Sequence, residues 1–256
     1  MKWFFEDDKT QPILTADAHI ASMHIEKKAL RPFPETAMLF YMHSGEEYLI
    51  ENHGGRLLME KLPRFLRGGP VYALDERICF MDGGRGAPQA VDTVETLAAL
   101  GVKRIITVGM FGAFGESVET GDVIVPSRVL IEEGTSHHYL PEPEYAFPDE
   151  ALAGKLAKLT GAMRAELVST DSIYRQTYFK ERLWREKGAV GVDMETSAIF
   201  TVSKCLGISA AALLIASDKH PTEENAGKWE WRMTKQMRYD HFESALAAAR
   251  AVAQEN

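Results

Sequence analysis

Two cysteines in 256 residues leave the chain no disulfide framework and no paired spacing for a structural zinc ion. Cys79 (in ICFM) and Cys205 (in SKCLGI) each sit in an apolar run, where a buried small hydrophobe is expected. A basic surplus is also missing: 29 Lys and Arg stand against 37 Asp and Glu, a net charge of −8. Phosphate neutralisation drives non-specific nucleic-acid binding, so that role is disfavoured, as is a polybasic membrane patch. No apolar run approaches the roughly 20 residues of a membrane span. The first ten residues, MKWFFEDDKT, turn acidic without an apolar signal core, so the cytoplasm is expected. A dinucleotide fingerprint fails as well. Gly84 and Gly86 lack the third glycine of GxGxxG, and Gly109, Gly112 and Gly115 have the wrong spacing. His137 and His138 are adjacent, with no third ligand nearby in sequence, so no metal is expected.

What remains is an ordinary globular composition, 45% apolar and 26% charged. Residues 1–36, with Pro12, Pro32 and Pro34, read as an irregular arm lying on the domain or on a neighbouring subunit. Strand and helix signals then alternate. Residues 37–42 read as a strand and 46–67 as a helix broken near Gly54-Gly55 and Pro63. Residues 71–74 and 77–81 read as paired strands. A buried strand at 78–81, a glycine turn, a helix at 88–100 stopped by Gly101, and a strand at 104–108 form a βαβ crossover. Later come a strand at 167–170, a helix at 178–187 and a strand at 189–193. A helix at 196–206, a strand at 210–216 and an Ala-rich helix at 235–254 complete the pattern. No repeat or linker divides it. The expectation is one α/β domain over 37–256, with a mixed, mostly parallel central sheet flanked by helices.

Ligands of open α/β sheets sit outside the carboxyl ends of the strands. Four such ends carry functional residue types: MDGGRG at 81–86, TVGMFGAFG at 107–115, GVDMETSA at 191–198 and ASDKH at 216–220. Convergence of polar groups from several ends points to a site more strongly than any one motif.

GRGAPQAVDTVETLAALGVKRIITVGMFGAF followed by GDVIVP resembles the central segment of the nucleoside phosphorylase family. EEGTSHHYLP resembles a stretch of uridine and purine phosphorylase-like members. GAVGVDMETSAIFTVSKCLGI resembles the ribose-binding strand and helix, and SDKH the strand-end aspartate of purine-cleaving members. The four blocks occur in the family's order. The resemblance implies a nucleoside phosphorylase, releasing base and ribose 1-phosphate, with purine favoured over uridine. Phosphate would be co-substrate, no cofactor would be needed, and the chain would be a homo-oligomer, a dimer or a hexamer built as a trimer of dimers.

Residue by residue, Glu195 would hold the 2′ and 3′ hydroxyls, which suits a carboxylate accepting from vicinal donors, with Met194 and Asp193 beside the sugar. A second reading of Glu195 is a carboxylate stabilising a helix N-terminus. Asp218 ends the apolar run AALLIAS, where a raised pKa would suit an acid that protonates the departing base. Its other reading is a helix N-cap. Gly112, Tyr174, Arg175 and Arg232 complete the implied base site. The phosphate site departs from the family. The opening turn reads His43-Ser44-Gly45-Glu46-Glu47 without its arginine, Thr107 replaces a strand arginine, and Met110 replaces a Ser or Thr. Gly45, Met110, Arg85 and Arg64 are what remain for phosphate, Arg64 matching an arginine lent by a neighbouring subunit. Each charge-assisted bond is worth roughly 1.5–3 kcal/mol, so losing two arginines makes a hydrolytic nucleosidase the serious alternative. Glu46 or Glu47 would then activate water. A non-catalytic nucleoside-binding relative is the third reading.

Overall fold

The computed structural model describes residues 3–23, 33–223 and 227–254; Pro32 of the arm lies outside them. The arm is not wholly irregular. It forms α1 (Ala16–Ser22), capped by Thr15, whose hydroxyl accepts from the Ala18 amide at 3.1 Å. One fully buried residue, Ile20, anchors it. A helix this short with one apolar contact leaves no readable period.

The chain continues through β1 (Thr36–Phe40), α2 (Gly45–His53), β2 (Arg56–Met59), β3 (Val71–Ala73) and β4 (Ile78–Asp82). The long helix expected over 46–67 ends at Gly54, which takes the left-handed φ of 69°. Gly55 then passes so close to the Phe80 ring that a Cβ would lie 2.5 Å from it. The chain turns there into β2, which pairs antiparallel with β3.

After β4 come α3 (Ala87–Leu100) and β5 (Arg104–Ala113), the expected crossover. β1 lies between β4 and β5 and runs parallel to both, so that Phe40 aligns with Asp82 on one side and Val108 on the other. The remaining strands are β6 (Val123–Glu132), β7 (Tyr145–Ala146), β8 (Met163–Thr170), β9 (Ala189–Asp193) and β10 (Ser209–Lys219). β5 pairs parallel with β10 along its length and antiparallel with the end of β9. β10 pairs with β6, β6 with β8 and β8 with β9, so these five strands close into a ring. β1, β4, β3 and β2 extend from β5 as a wing. The long ladders are parallel; the short antiparallel ones close the ring and finish the edge. The strand at β6 was not expected. Pro126 interrupts it, and its register slips between Pro126 and Arg128, since proline donates nothing to a ladder.

α3 and α6 (Thr196–Leu206) cover one face through Val91, Val94, Leu97, Ile199, Phe200 and Val202. α2, α4 (Glu150–Thr160) and α7 (Lys235–Gln254) cover the other, with Leu49, Leu156, Phe242 and Leu246. α5 (Tyr178–Glu186) buries Trp184 against Phe114. Cys79 is buried as expected; Cys205, in the last turn of α6, is exposed because α6 turns its other face to the core. Among the described residues no helix is long and apolar enough to cross a membrane.

Candidate active site

β5 does not end at 108. It runs on through Met110, Gly112 and Ala113, because β10 and β9 satisfy its backbone on either side. The stretch at 107–115, read as the end of a strand, is therefore mostly the site's central strand. Gly112 aligns with Val192 of β9 on one side and with Asp218 of β10 on the other. A register irregularity between Ala216 and Asp218 sets that alignment. The Asp193–Glu195 turn and Asp218 thus flank one glycine, their strands separated by about two interstrand spacings, roughly 10 Å.

The first end is built around Glu195, which links β9 to α6. Its Oε1 accepts from the Gly86 amide at 2.7 Å. Gly86 precedes α3 with φ 77°, a conformation that suits glycine. The second reading of Glu195 takes this form: it stabilises a helix N-terminus, but that of α3 rather than its own. Asp193 accepts from Ser169 Oγ at 2.5 Å, from the Thr196 amide at 3.2 Å and from the Thr196 hydroxyl. Burial, and then the charge of Asp193, raise the Glu195 pKa. Burial also raises Asp193, against the hydrogen bonds of Ser169 and Thr196. Met194 is half-buried between them.

Around the glycine turn the charges crowd. Glu46, in the first turn of α2, accepts from the Asp82 amide at 2.8 Å. Burial, then the Asp82 carboxylate, push it up to about 7. The Arg85 guanidinium reaches Asp82 Oδ1 at 3.3 Å and the carbonyls of Phe40 and Gly84 at 3.4 and 3.1 Å. It lies near enough to draw both Glu46 and Glu195 downward. Arg64 is buried within its own chain. It donates to the Arg67 carbonyl at 2.7 Å and to the Thr93 hydroxyl, which in turn donates to the Gly83 carbonyl at 2.8 Å. Gly45 starts α2 under the Phe40 ring, where a Cβ would lie 2.2 Å from it, so its first role is steric.

The second end differs. Asp218 accepts from the Ser217 hydroxyl, from Trp229 Nε1 at 2.6 Å and from His220, whose Nε2 is 3.2 Å away. His220 Nδ1 lies 2.6 Å from Glu181 Oε1 of α5. Burial works to raise Asp218, but the hydrogen bonds from His220, Ser217 and Trp229 hold it below the usual carboxylate range. The raised pKa expected from its apolar strand is thus corrected: specific donors outweigh desolvation. Burial likewise opposes the His220 charge, but Asp218 and Glu181 keep its proton, pushing it up to about 9. The His220 ring sits where a Gly112 Cβ would be, 2.4 Å from Nε2, so glycine is what admits it.

Other expected residues stand elsewhere. Arg232 is exposed and reaches Glu230 at 3.4 Å; the donors to Asp218 are His220 and Trp229 instead. Tyr174 is 95% exposed, and Arg175 shares its short surface turn Ile173–Arg175. Met110 packs with the hydrophobic cluster beneath α7. Trp3 of the arm stacks on His138, with ring centroids 5.3 Å apart. Among the described residues, no group of three His, Cys, Asp or Glu side chains could hold a metal ion. His220, Glu181 and Trp229 were not anticipated. The only local signal was a histidine two places beyond Asp218, since its partner Glu181 is 39 residues away.

The sequence profile of the phosphorylase superfamily matches residues 33–251. The chain is 29% identical to a guanosine phosphorylase of Halorubrum lacusprofundi over 51% of its length and 56% of that protein's. It is 25% identical to a DeoD-type purine nucleoside phosphorylase of Clostridium novyi, over 63% of its length and 73% of that protein's. The chain spans about half the length of the curated relatives it matches first. In fold it is similar to an AMP nucleosidase structure from Bacteroides thetaiotaomicron, with a TM-score of 0.72 and 19% identity, covering 95% of this chain and 100% of that one.

Proposed function

The chain belongs to the phosphorylase superfamily, and from that premise we propose that it cleaves the N-glycosidic bond of a purine nucleoside, with water adding to C1′. Glu195 holds the ribose hydroxyls, Met194 and Asp193 lie beside the sugar, and the Asp218 end receives the base. Departure of the base leaves an oxocarbenium-like sugar, so rate comes from positioning and electrostatics.

The observation that carries the choice of water is Glu46, half-buried beside Asp82 and titrating at about 7. A carboxylate so tuned is matched to taking a proton from water near neutrality. A phosphate dianion beside Glu46 would instead meet its carboxylate and that of Asp82. Arg64 and Arg85 already donate to groups of their own chain. Phosphorolysis is the second reading, favoured by the convergence of those two arginines on the Gly83-Gly84 turn; a neighbouring copy in a homo-oligomer could add further cations.

The test is base release from a panel of nucleosides and their 5′-phosphates, with and without inorganic phosphate. Release in phosphate-free buffer is expected. Strict dependence on phosphate would transfer the assignment to phosphorolysis, and a thermal shift without turnover would reduce the protein to a nucleoside binder.

A further inference from the structure

Both ring nitrogens of His220 face carboxylate oxygens: Nδ1 lies 2.6 Å from Glu181 and Nε2 3.2 Å from Asp218. Carboxylates only accept, so both nitrogens must carry hydrogen and the ring is an imidazolium. Its surroundings are set from every side. α5 contributes Glu181, with Arg185 Nη1 behind it at 4.0 Å from Oε2. β10 contributes Asp218; Lys219 turns away to the Gly115 carbonyl at 2.6 Å and to Glu119 at 3.1 Å. β5 contributes the bare backbone of Gly112, and Phe114 stands with its ring centroid 6.3 Å away. Trp229 donates to the same Asp218 oxygen that His220 faces. Asp218, with three donors on it, is ionised and has no proton of its own to give.

We propose that Glu181 and His220 form a proton relay that loads Asp218, making His220 the source of the proton the departing base takes up. The proposal rests on the nucleoside-cleavage reading above. The imidazolium gives its Nε2 proton to Asp218 Oδ2. Asp218 delivers it to N7 of the purine as the C1′–N9 bond breaks and its electron pair passes into the ring. The neutral imidazole keeps its Nδ1 proton on Glu181, and solvent returns the other after the base leaves. Water that adds to C1′ loses its proton to Glu46, so charge balances over the cycle. Glu181 and His220 act through Asp218 and are positioning residues. The raised affinity of His220 for its proton, near 9, keeps the relay charged at neutral pH.

The experiment compares guanosine with 7-methylguanosine, whose alkylated N7 needs no proton, across a pH series for wild type, His220→Gln and Glu181→Gln. Wild type should cleave both. His220→Gln should lose about 10²-fold in kcat/KM on guanosine at neutral pH, the scale of general-acid help, and far less on 7-methylguanosine. Relative to wild type at the same pH, so that the Glu46 acid limb cancels, its guanosine activity should recover in mildly acid buffer, where Asp218, freed of the imidazolium, takes up its own proton. Glu181→Gln, nearly isosteric, should fold normally and move the alkaline limb of the guanosine profile to lower pH. Equal losses on the two nucleosides, or an alkaline limb unmoved in Glu181→Gln, would overturn the relay. Wild type that cleaves neither nucleoside would overturn the cleavage reading itself and the relay with it.

Discussion

Glu195 and Asp218 stand at the ends of the two strands that flank β5, buried to 8% and 4% exposure, yet their pKa values move in opposite directions. Burial is the largest influence on each and pushes both upward. The difference lies in the company. Glu195 has Asp193 two residues away, which adds to desolvation, and only the backbone groups of Gly86 and Met194 and the charge of Arg85 against it, so desolvation prevails. Asp218 has an imidazolium, a hydroxyl and an indole N–H, so desolvation is overcome. Two carboxylates on equivalent scaffolding thus acquire different electrostatics: one holds a proton more readily, the other is kept charged by its donors. Strand topology sets the distance between them, and second partners set their roles.

The comparison can be broken first at Glu195. In the proposed site Glu195→Gln removes the carboxyl acceptor for two sugar hydroxyls, each bond worth roughly 1.5–3 kcal/mol when the carboxyl is ionised, so kcat/KM should fall by about 10²–10⁴-fold. Most of that loss should vanish when wild type and variant are compared on a 2′,3′-dideoxynucleoside. Glu46→Gln should lower turnover about 10²-fold, the lower end of general-base help, and abolish an acid limb near 7 in the pH profile. Gly112→Ala makes the two ends alike. Its Cβ would strike His220, 2.4 Å away, and strip Asp218 of its cation. The alkaline limb should then drop, with roughly tenfold less activity at neutral pH, one pKa unit of lost tuning.

The smallest effect is on stability. His220 titrates at about 9 in the fold against about 6.5 when unfolded. Its contribution is complete below about 6.5 and is lost as pH rises through about 9. His241, buried under β5 and β10, is pushed down to about 4 by burial, so its contribution is complete above about 6.5 and is lost as pH falls toward 4. Melting temperature should therefore peak near neutrality. His220→Gln should flatten the alkaline side alone.

Elements governed by local chemistry were legible in the sequence. β9 and α6 fall at 189–193 and 196–206 as read, because an apolar run meets a helix opened at Glu195 and stopped by Gly207. α7 was equally plain from its Ala-rich period. The illegible parts depend on pairing at a distance. β5 runs to Ala113 only because β9 and β10 clasp it, and β6 hides behind Pro126. The carboxylates at 193, 195 and 218 could be picked from the ends of their strands. That Asp218 would be lowered could not, since Glu181 and Trp229 reach it or its histidine from separate segments. Tyr174 and Arg175 matched a family position but carry no packing signal, and the structure leaves them on the surface.

A crystal structure with a purine nucleoside soaked in phosphate-free buffer tests the account most directly. The ribose 2′ and 3′ hydroxyls should lie on Glu195, with the base across Gly112 and its N7 toward Asp218. A nucleoside bound with its sugar away from Glu195, or with its base facing any other carboxylate, would contradict it.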